Sequence, residues 1–312
     1  MINRDYLYIK RFKSLDSFQI EDDSLYLYCN DGEDRSYACA NYLIANQEKI
    51  SVVELLYVDN DEMIVVGTDN RIPLTSQKAI VGMINNYGHK RVYIDVCGMN
   101  VRMAAALLLR IHSTDMEMHV VYSEPHNYYP EVFHREGEDH EWAGIIDGIK
   151  PLPGFASFAD PNEEFVFCVF LGFEGGRFNH LLREIQPLEE LITPIVGIPG
   201  FKIEYPYNAY WSNRKGLLCT DSSANVRYAS ANSIVDAYIL LNRIKNDNQG
   251  KKIVIAPIGT KPHAIASIAF AIQNFDSIEI VFDNPQKKES RSEGIGMILD
   301  CNVSLLLSED PR

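Results

Sequence analysis

One stretch of the chain, residues 251–285, limits the fold more than any other. It reads KKIVIAPIGTKPHAIASIAFAIQNFDSIEIVFDNP, with an apolar run, a Gly-Thr-Lys-Pro turn, a segment of small apolar residues and a second apolar run. Continuous apolar runs rich in β-branched residues are typical of strands covered on both faces, and a helical crossover between two of them favours parallel pairing. The stretch therefore predicts a βαβ unit.

Residues 91–125 repeat this arrangement. RVYIDVCGMNVRMAAALLLRI followed by MHVVYSEP matches the later stretch in order and spacing, and Gly98 and Gly259 are offset by 259 − 98 = 161 positions. The preceding segments LYLYCNDGEDRSYACANYL and FCVFLGFEGGRFNHLLREI also correspond. We predict an α/β fold of two tandem Rossmann-like units with mostly parallel sheets and an internal duplication. The alternative, that any two βαβ units share such a pattern, stays open.

The duplication sets the predicted domain boundaries. The amino-terminal unit spans 1–135, a linker rich in charge, Pro and Gly spans 136–160, and the carboxy-terminal unit spans 161–312. Within the second unit we expect an aromatic loop over 199–211 and a last strand within 297–307.

Charge and cysteine usage restrict the partners and the compartment. The 29 Lys and Arg against 43 Asp and Glu give a net charge of −14, which disfavours long nucleic acid and anionic membranes as partners. The six cysteines are dispersed without a CxxC pair, and no window approaches the roughly 18 apolar residues of a spanning helix. We expect a cytoplasmic protein with free thiols, and the sequence identifies no cofactor.

The turn after the apolar run at 253–258 is the first candidate site. In parallel sheets ligands bind beyond the carboxyl ends of strands, where the amino terminus of the next helix attracts anions. We therefore predict that Gly259, Thr260, Lys261 and His263 bind an anionic group. The sequence matches neither GxGxxG nor a P-loop, so a plain glycine turn with a solvated Lys261 and a packing His263 remains an alternative.

Two further turns follow predicted strands, and they align on one arginine each. Gly175, Gly176 and Arg177 form one candidate ligand turn, and Arg35 marks its counterpart in the first unit. An arginine fork can hold a phosphate or carboxylate, although a surface turn with a solvated arginine is an alternative. The catalytic residues are unknown, with His263 and Asp95 as candidates. Asp95 ends a predicted buried strand, where a helix cap is the other interpretation.

The remaining candidate groups are three histidines and a cluster of aromatic residues. His126, His134 and His140 lie among carboxylates at spacings that fit no metal module, so we predict no metal site. The aromatic loop could serve as the contact for a homo-oligomer or a protein partner through four residues: Tyr205, Tyr207, Tyr210 and Trp211.

These features predict a function in binding a small anionic molecule. Lys261 and Arg177, joined by Lys287, Lys288 and Arg291, favour a nucleotide as the ligand. The layout is loosely similar to the duplicated Rossmann-like sensors of cyclic nucleotides in bacterial immunity, a likeness of architecture alone. We expect a ligand-binding sensor or regulatory subunit. The alternatives are an enzyme acting on a nucleotide or sugar phosphate and a non-catalytic subunit of a multiprotein complex.

Overall fold

A computed structural model describes residues 5–128, 148–155, 164–284 and 292–309. The backbone divides into two compact units, one of residues 1–128 and 289–311 and the other mainly of residues 129–288. Each unit has its own sheet. Within the described ranges, no helix is both long and apolar enough to cross a lipid bilayer.

The first unit is built on an eight-stranded sheet in the order β1-β14-β7-β6-β2-β3-β4-β5. Strands β7, β6, β2 and β3 are parallel neighbours, and β14 runs antiparallel to both β7 and β1. Its elements are α1 (Asp5–Tyr8), β1 (Ile9–Phe12), β2 (Ser24–Tyr28), α2 (Asp34–Asn46), β3 (Ile50–Val58), β4 (Glu62–Val65), β5 (Arg71–Pro73), α3 (Gln77–Asn85), β6 (Arg91–Asp95), α4 (Val101–His112), β7 (Glu117–Tyr128), β14 (Ser292–Asn302) and α9 (Val303–Ser308).

The second unit is built on a six-stranded sheet in the order β11-β10-β9-β12-β13-β8. The first five strands are parallel, and β8 pairs antiparallel with β13. Its elements are β8 (Lys150–Pro151), β9 (Phe165–Leu171), α5 (Gly175–Ile185), β10 (Ile192–Gly197), α6 (Tyr205–Cys219), β11 (Arg227–Ala229), α7 (Ile234–Asp247), β12 (Lys252–Pro257), α8 (Lys261–Gln273) and β13 (Ile278–Phe282).

The predicted fold class is confirmed, because strands alternate with helices in two mostly parallel sheets. The βαβ unit of the opening stretch is β12, α8 and β13. The cores of the two sheets also share one order, β3-β2-β6-β7 in the first and β10-β9-β12-β13 in the second. A shared order agrees with a duplication but is also common among doubly wound sheets, so the duplication stays a prediction.

The carboxy-terminal segment lies elsewhere than predicted. The sequence assigned residues 292–309 to the second unit, whereas β14 lies between β1 and β7 in the first sheet. Asn302 then ends the strand and caps α9 by accepting a hydrogen bond from the Leu305 N–H at 2.8 Å. A strand pattern specifies a buried face but not the sheet that supplies its partners, so sequence order was a poor guide here.

The predicted aromatic loop is largely a helix. Residues 205–211 form the first two turns of α6, which begins at Tyr205 and has Pro206 in its first turn, where proline is well tolerated. Its inward face carries Tyr205, Ala209, Asn213 and Gly216, and only part of that face is apolar. The periodic apolar signal of a helix is therefore weak in this segment.

Candidate functional site

The strand order of the second sheet reverses at β9, because β10 lies on one side of it and β12 on the other. The carboxyl ends of β9 and β12 therefore form the topological switch point, where ligands of parallel sheets bind. The turns predicted as ligand sites follow these two strands. The two turns are in close contact at Gly172. A Cβ placed on Gly172 would lie 2.7 Å from the carbonyl oxygen of Ile258, so a larger residue would not fit there.

The turn before α8 presents backbone donors. Thr260 caps the helix, and its Oγ1 accepts from the His263 N–H at 3.4 Å and donates to the Ala231 carbonyl at 2.8 Å. The N–H groups of Gly259 and Thr260 donate to no acceptor within the described ranges. Lys261 is the first residue of α8, and all three turn residues are partly exposed. This turn therefore offers accessible donors at the positive end of a helix.

The turn before α5 adds donors of the same kind. Gly175 and Gly176 occupy the first helical turn, whose N–H groups have no acceptor within the helix, and the side chain of Glu174 does not cap them. Gly176 is partly exposed, but Gly175 is buried, and a Cβ placed on it would lie 1.8 Å from the Ser212 carbonyl oxygen of α6. Gly175 therefore permits helix packing, and of the two glycines only Gly176 is partly exposed.

Arg177 is buried within the protein, which contradicts the alternative of a solvated arginine. Its Nε and Nη2 donate to both carboxylate oxygens of Asp283 at 2.8 and 2.5 Å. Its Nη1 donates to Glu174 at 3.1 Å and to the Ile258 carbonyl at 3.3 Å. Burial acts to lower the pKa of Arg177, but the hydrogen bonds and negative charges of Asp283 and Glu174 together outweigh it and raise that pKa above its usual value. The guanidinium thus joins the two turns, and its charge is already paired.

His263 is a packing residue in this structure. It is fully buried, its ring lies 4.7 Å from that of Phe170, and its Nε2 lies 3.0 Å from the Ser230 carbonyl oxygen. Because a carbonyl only accepts hydrogen bonds, Nε2 carries the proton. Burial lowers the pKa of His263 to about 4, so the ring is neutral near pH 7. The geometry agrees with the packing interpretation of His263.

In the first unit, the matching turns are filled by contacts within the unit itself. Arg35 is buried, and its Nε donates to Glu33 at 2.9 Å and to the Ser292 hydroxyl at 3.2 Å. Gly98 lies against the loop after β2, because a Cβ placed on it would lie 1.9 Å from the Cys29 carbonyl oxygen. Arg35, like Arg177, holds its own unit together.

Asp95 lies at the carboxyl end of β6, in the first unit. Its carboxylate accepts from the Tyr26 hydroxyl at 2.7 Å and from the Cys97 N–H at 2.9 Å. The cap of the following helix is Asn100, so the interpretation of Asp95 as that cap is wrong. Burial raises the pKa of Asp95 to about 6, which outweighs the hydrogen bonds that lower it. Asp95 is therefore a titratable group inside the core.

The sequence interpretation missed Asp283 and Glu174 as the partners of Arg177. Asp283 follows the apolar strand β13 directly, which is the same signal that drew attention to Asp95. A buried carboxylate needs a partner, so its position could have indicated a buried cation. Sequence alone could not show that the cation is Arg177, which lies 106 positions away.

Several predicted positions fall outside the described ranges. They are His134, His140, Lys287, Lys288 and Arg291. Within the described ranges, no group of three or more His, Cys, Asp or Glu residues is arranged to hold a metal ion.

Comparison with known proteins gives little. No family model matches the chain, and no curated protein matches it. Among solved structures it is similar to the crystal structure of a protein assigned to the universal stress proteins, from Pseudomonas aeruginosa UCBPP-PA14. The two share 11% identity over 84% of this chain and 82% of that one, with a TM-score of 0.26. So weak a likeness bears neither on function nor on the site.

Proposed function

We propose that this protein is a sensor or regulatory subunit whose second unit binds a small anionic molecule, with a nucleotide favoured. The observation that carries the proposal is the pair of N–H groups of Gly259 and Thr260, which meet no acceptor in the described part of the chain. They stand at the start of α8, at the switch point of the second sheet. A bound oxyanion would satisfy both donors and interact favourably with the helix dipole.

The neighbouring groups define the ligand further. Lys261 on the first turn of α8 can pair with a phosphate, and the N–H of the partly exposed Gly176 can donate to a second oxygen. The described charges beside the turns are Lys261 and Arg177 against Glu174 and Asp283, so recognition relies on directed donors rather than on net charge. The partly exposed ring of Phe173 offers a surface on which a base can stack.

The same geometry favours a sensor over an enzyme. His263 has no exposed surface and is held neutral, and Asp95 is buried in the other unit. A general acid or base must reach its substrate, and the buried side chains of His263 and Asp95 offer almost no surface for such a contact. We therefore place recognition, rather than turnover, at the switch point. A cytoplasmic location belongs to the same proposal.

Titration with ATP, cyclic AMP, a cyclic dinucleotide and inorganic phosphate tests this proposal. We expect calorimetry and thermal shift to detect binding of at least one nucleotide. Lys261→Met should weaken that binding by about 10- to 100-fold, the loss of one charge-assisted hydrogen bond. The control is Lys251→Met, because Lys251 precedes β12 and so lies at the amino-terminal end of that strand, opposite the end that carries the turn. Equal binding by both variants, or no binding by the wild type, would contradict the proposal.

A further inference from the structure

The outer face of α6 carries aromatic and aliphatic side chains in contact with solvent. Tyr207, Trp211, Arg214 and Leu218 follow one another at helical spacing, and the exposed Ile203 precedes the helix. Tyr207 and Leu218 are 66% and 74% exposed, and Ile203 is 96% exposed. Large apolar side chains gathered on one exposed face mark an interaction site more often than isolated ones do. We call these five residues the α6 face.

Three side chains of the α6 face, those of Tyr207, Trp211 and Arg214, pack against one another. The rings of Tyr207 and Trp211 are stacked with centroids 6.2 Å apart. The Arg214 guanidinium lies 4.4 Å from the centre of the Trp211 ring, and its Nη1 donates to the Trp211 carbonyl at 2.7 Å. Pre-ordered side chains lose less entropy on binding, and Trp, Tyr and Arg are the residues that most often dominate interface energies.

The charge around this face differs in sign from that of the chain. Residues 198–228 contain four basic residues (Lys202, Arg214, Lys215, Arg227) and two acidic ones (Glu204, Asp221), a net charge of 4 − 2 = +2 within a chain of −14. The stretch of sequence that carries the α6 face therefore has more basic residues than acidic ones. Complementary charge guides partners together and disfavours partners of like charge.

From these observations we propose that the α6 face docks an acidic partner protein, one with an apolar surface bordered by carboxylates. A symmetric pair of copies would bring Arg214 and Lys215 of each copy towards those of the other, which charge repulsion opposes. Nucleic acid fits less well, because Ile203 and Leu218 have no ring on which a base can stack and the local charge is small. This proposal is independent of the ligand site.

The predicted contact set changes accordingly. Tyr205 is buried and packs against Phe173 with ring centroids 5.3 Å apart, so it does not belong to the docking surface. Tyr210 lies beside the α6 face, and its hydroxyl is 2.9 Å from that of the exposed Tyr228. Tyr207 and Trp211 remain as predicted contacts.

The first experiment identifies the partner. A photo-crosslinking amino acid replaces Tyr207 in the full chain, with the same replacement at the exposed Tyr6 of the other unit as the control. Crosslinked proteins from the host are identified by mass spectrometry, and those specific to position 207 are produced in pure form. Capture alone does not support the proposal. A failure to obtain any protein specific to position 207 would count against it.

The second experiment measures affinity with the purified partner. We expect an acidic protein whose affinity falls by about tenfold or more in Trp211→Ala and in Arg214→Glu, and also falls as salt rises. Tyr6→Ala should bind like the wild type. Circular dichroism of each variant separates a lost contact from a lost fold. Unchanged affinity in Trp211→Ala would overturn the proposal. So would crosslinks only to RNA, or a dimer in sedimentation analysis that Trp211→Ala dissociates.

Discussion

Asp95 shows how burial alone can turn a common carboxylate into a pH-dependent group. Its pKa of about 6 in the folded state exceeds the ordinary value of 3.8 because burial disfavours the charged form. A raised pKa means that the folded state binds the proton more tightly than the unfolded chain does. The resulting stability is fully present below about pH 4 and is lost as the pH rises through 6.

We therefore expect Asp95→Asn to stabilise the first unit at pH 8 by up to about 3 kcal/mol, the free energy of a two-unit shift in pKa. The amide can still accept from the Cys97 N–H. Hydrogen exchange of first-unit peptides at pH 8 and at acidic pH, corrected for intrinsic exchange rates, measures the effect, and the advantage should shrink towards pH 4. Asp22→Asn is the control, because Asp22 forms an exposed ion pair with Lys49. A difference independent of pH would contradict this account.

Arg177 illustrates the limit of sequence interpretation at the residue scale. The sequence predicts Arg177 in the turn between a strand and a helix, as a fork that holds a carboxylate or phosphate, whereas it lies in the first turn of α5. The fork does hold a carboxylate, but it belongs to Asp283 of the same unit. A local pattern specifies where a side chain starts, whereas burial and distant partners decide what it binds.

At the scale of elements, the packing of α5 against α6 depends on glycine. Gly175 meets the Ser212 carbonyl, and Gly216 meets the ring of Phe178, where an added Cβ would lie 2.6 Å from a ring carbon. The two contacts are three residues apart on α5 and four residues apart on α6, in the same order along both chains, so the helices run side by side in the same direction. Neither glycine can gain a side chain without moving its neighbour.

We expect Gly175→Ala to destabilise the second unit by about 1–3 kcal/mol, the usual cost of overpacking. Gly82→Ala in α3 is the matched control, because no atom lies within 4 Å of its Cβ position. There the higher helix propensity of alanine should stabilise the first unit by up to about 1 kcal/mol. Thermal unfolding of both variants tests the opposite signs. A stabilising Gly175→Ala would show that the two helices are not in such close contact.

Elements with continuous apolar runs were predicted well, and those that depend on distant partners were not. The runs at β9 and β12 specify buried parallel strands almost independently of context. By contrast, α6 places Asn213 in its interior, where the Nδ2 donates to the carbonyls of Gly172 and Ala209 at 2.7 and 2.8 Å. From sequence alone an asparagine is predicted to be exposed, because the two carbonyls that satisfy its buried amide are not visible there.

At the scale of the whole molecule, the first unit depends on a segment that follows the second unit in sequence. Strand β14 lies between β1 and β7, and it also supplies Asp300, whose carboxylate lies 2.7 Å from Nδ1 of the buried His119. Ser292 of the same strand contacts Arg35. The first unit is therefore discontinuous in sequence, and its sheet is incomplete without residues 292–302.

Removal of residues 289–312 should consequently affect the two units unequally. We expect the first unit to lose most of its protection from hydrogen exchange, because β1 loses the strand with which it pairs and β7 gains an open edge. The second unit should keep its protection, since its sheet contains no strand from this segment. Hydrogen exchange with mass spectrometry reports both units at once. Equal loss in both units, or none in the first, would contradict the discontinuous first unit.

The position of β14 also has a consequence during synthesis on the ribosome. All strands of the second sheet have been translated by Phe282, whereas the first sheet waits for residues 292–302. The strands of the second sheet are therefore complete in the chain before those of the first, and the unit made first must be finished last. Until then the nascent chain carries an unpaired β7 edge, which is open to pairing with other chains.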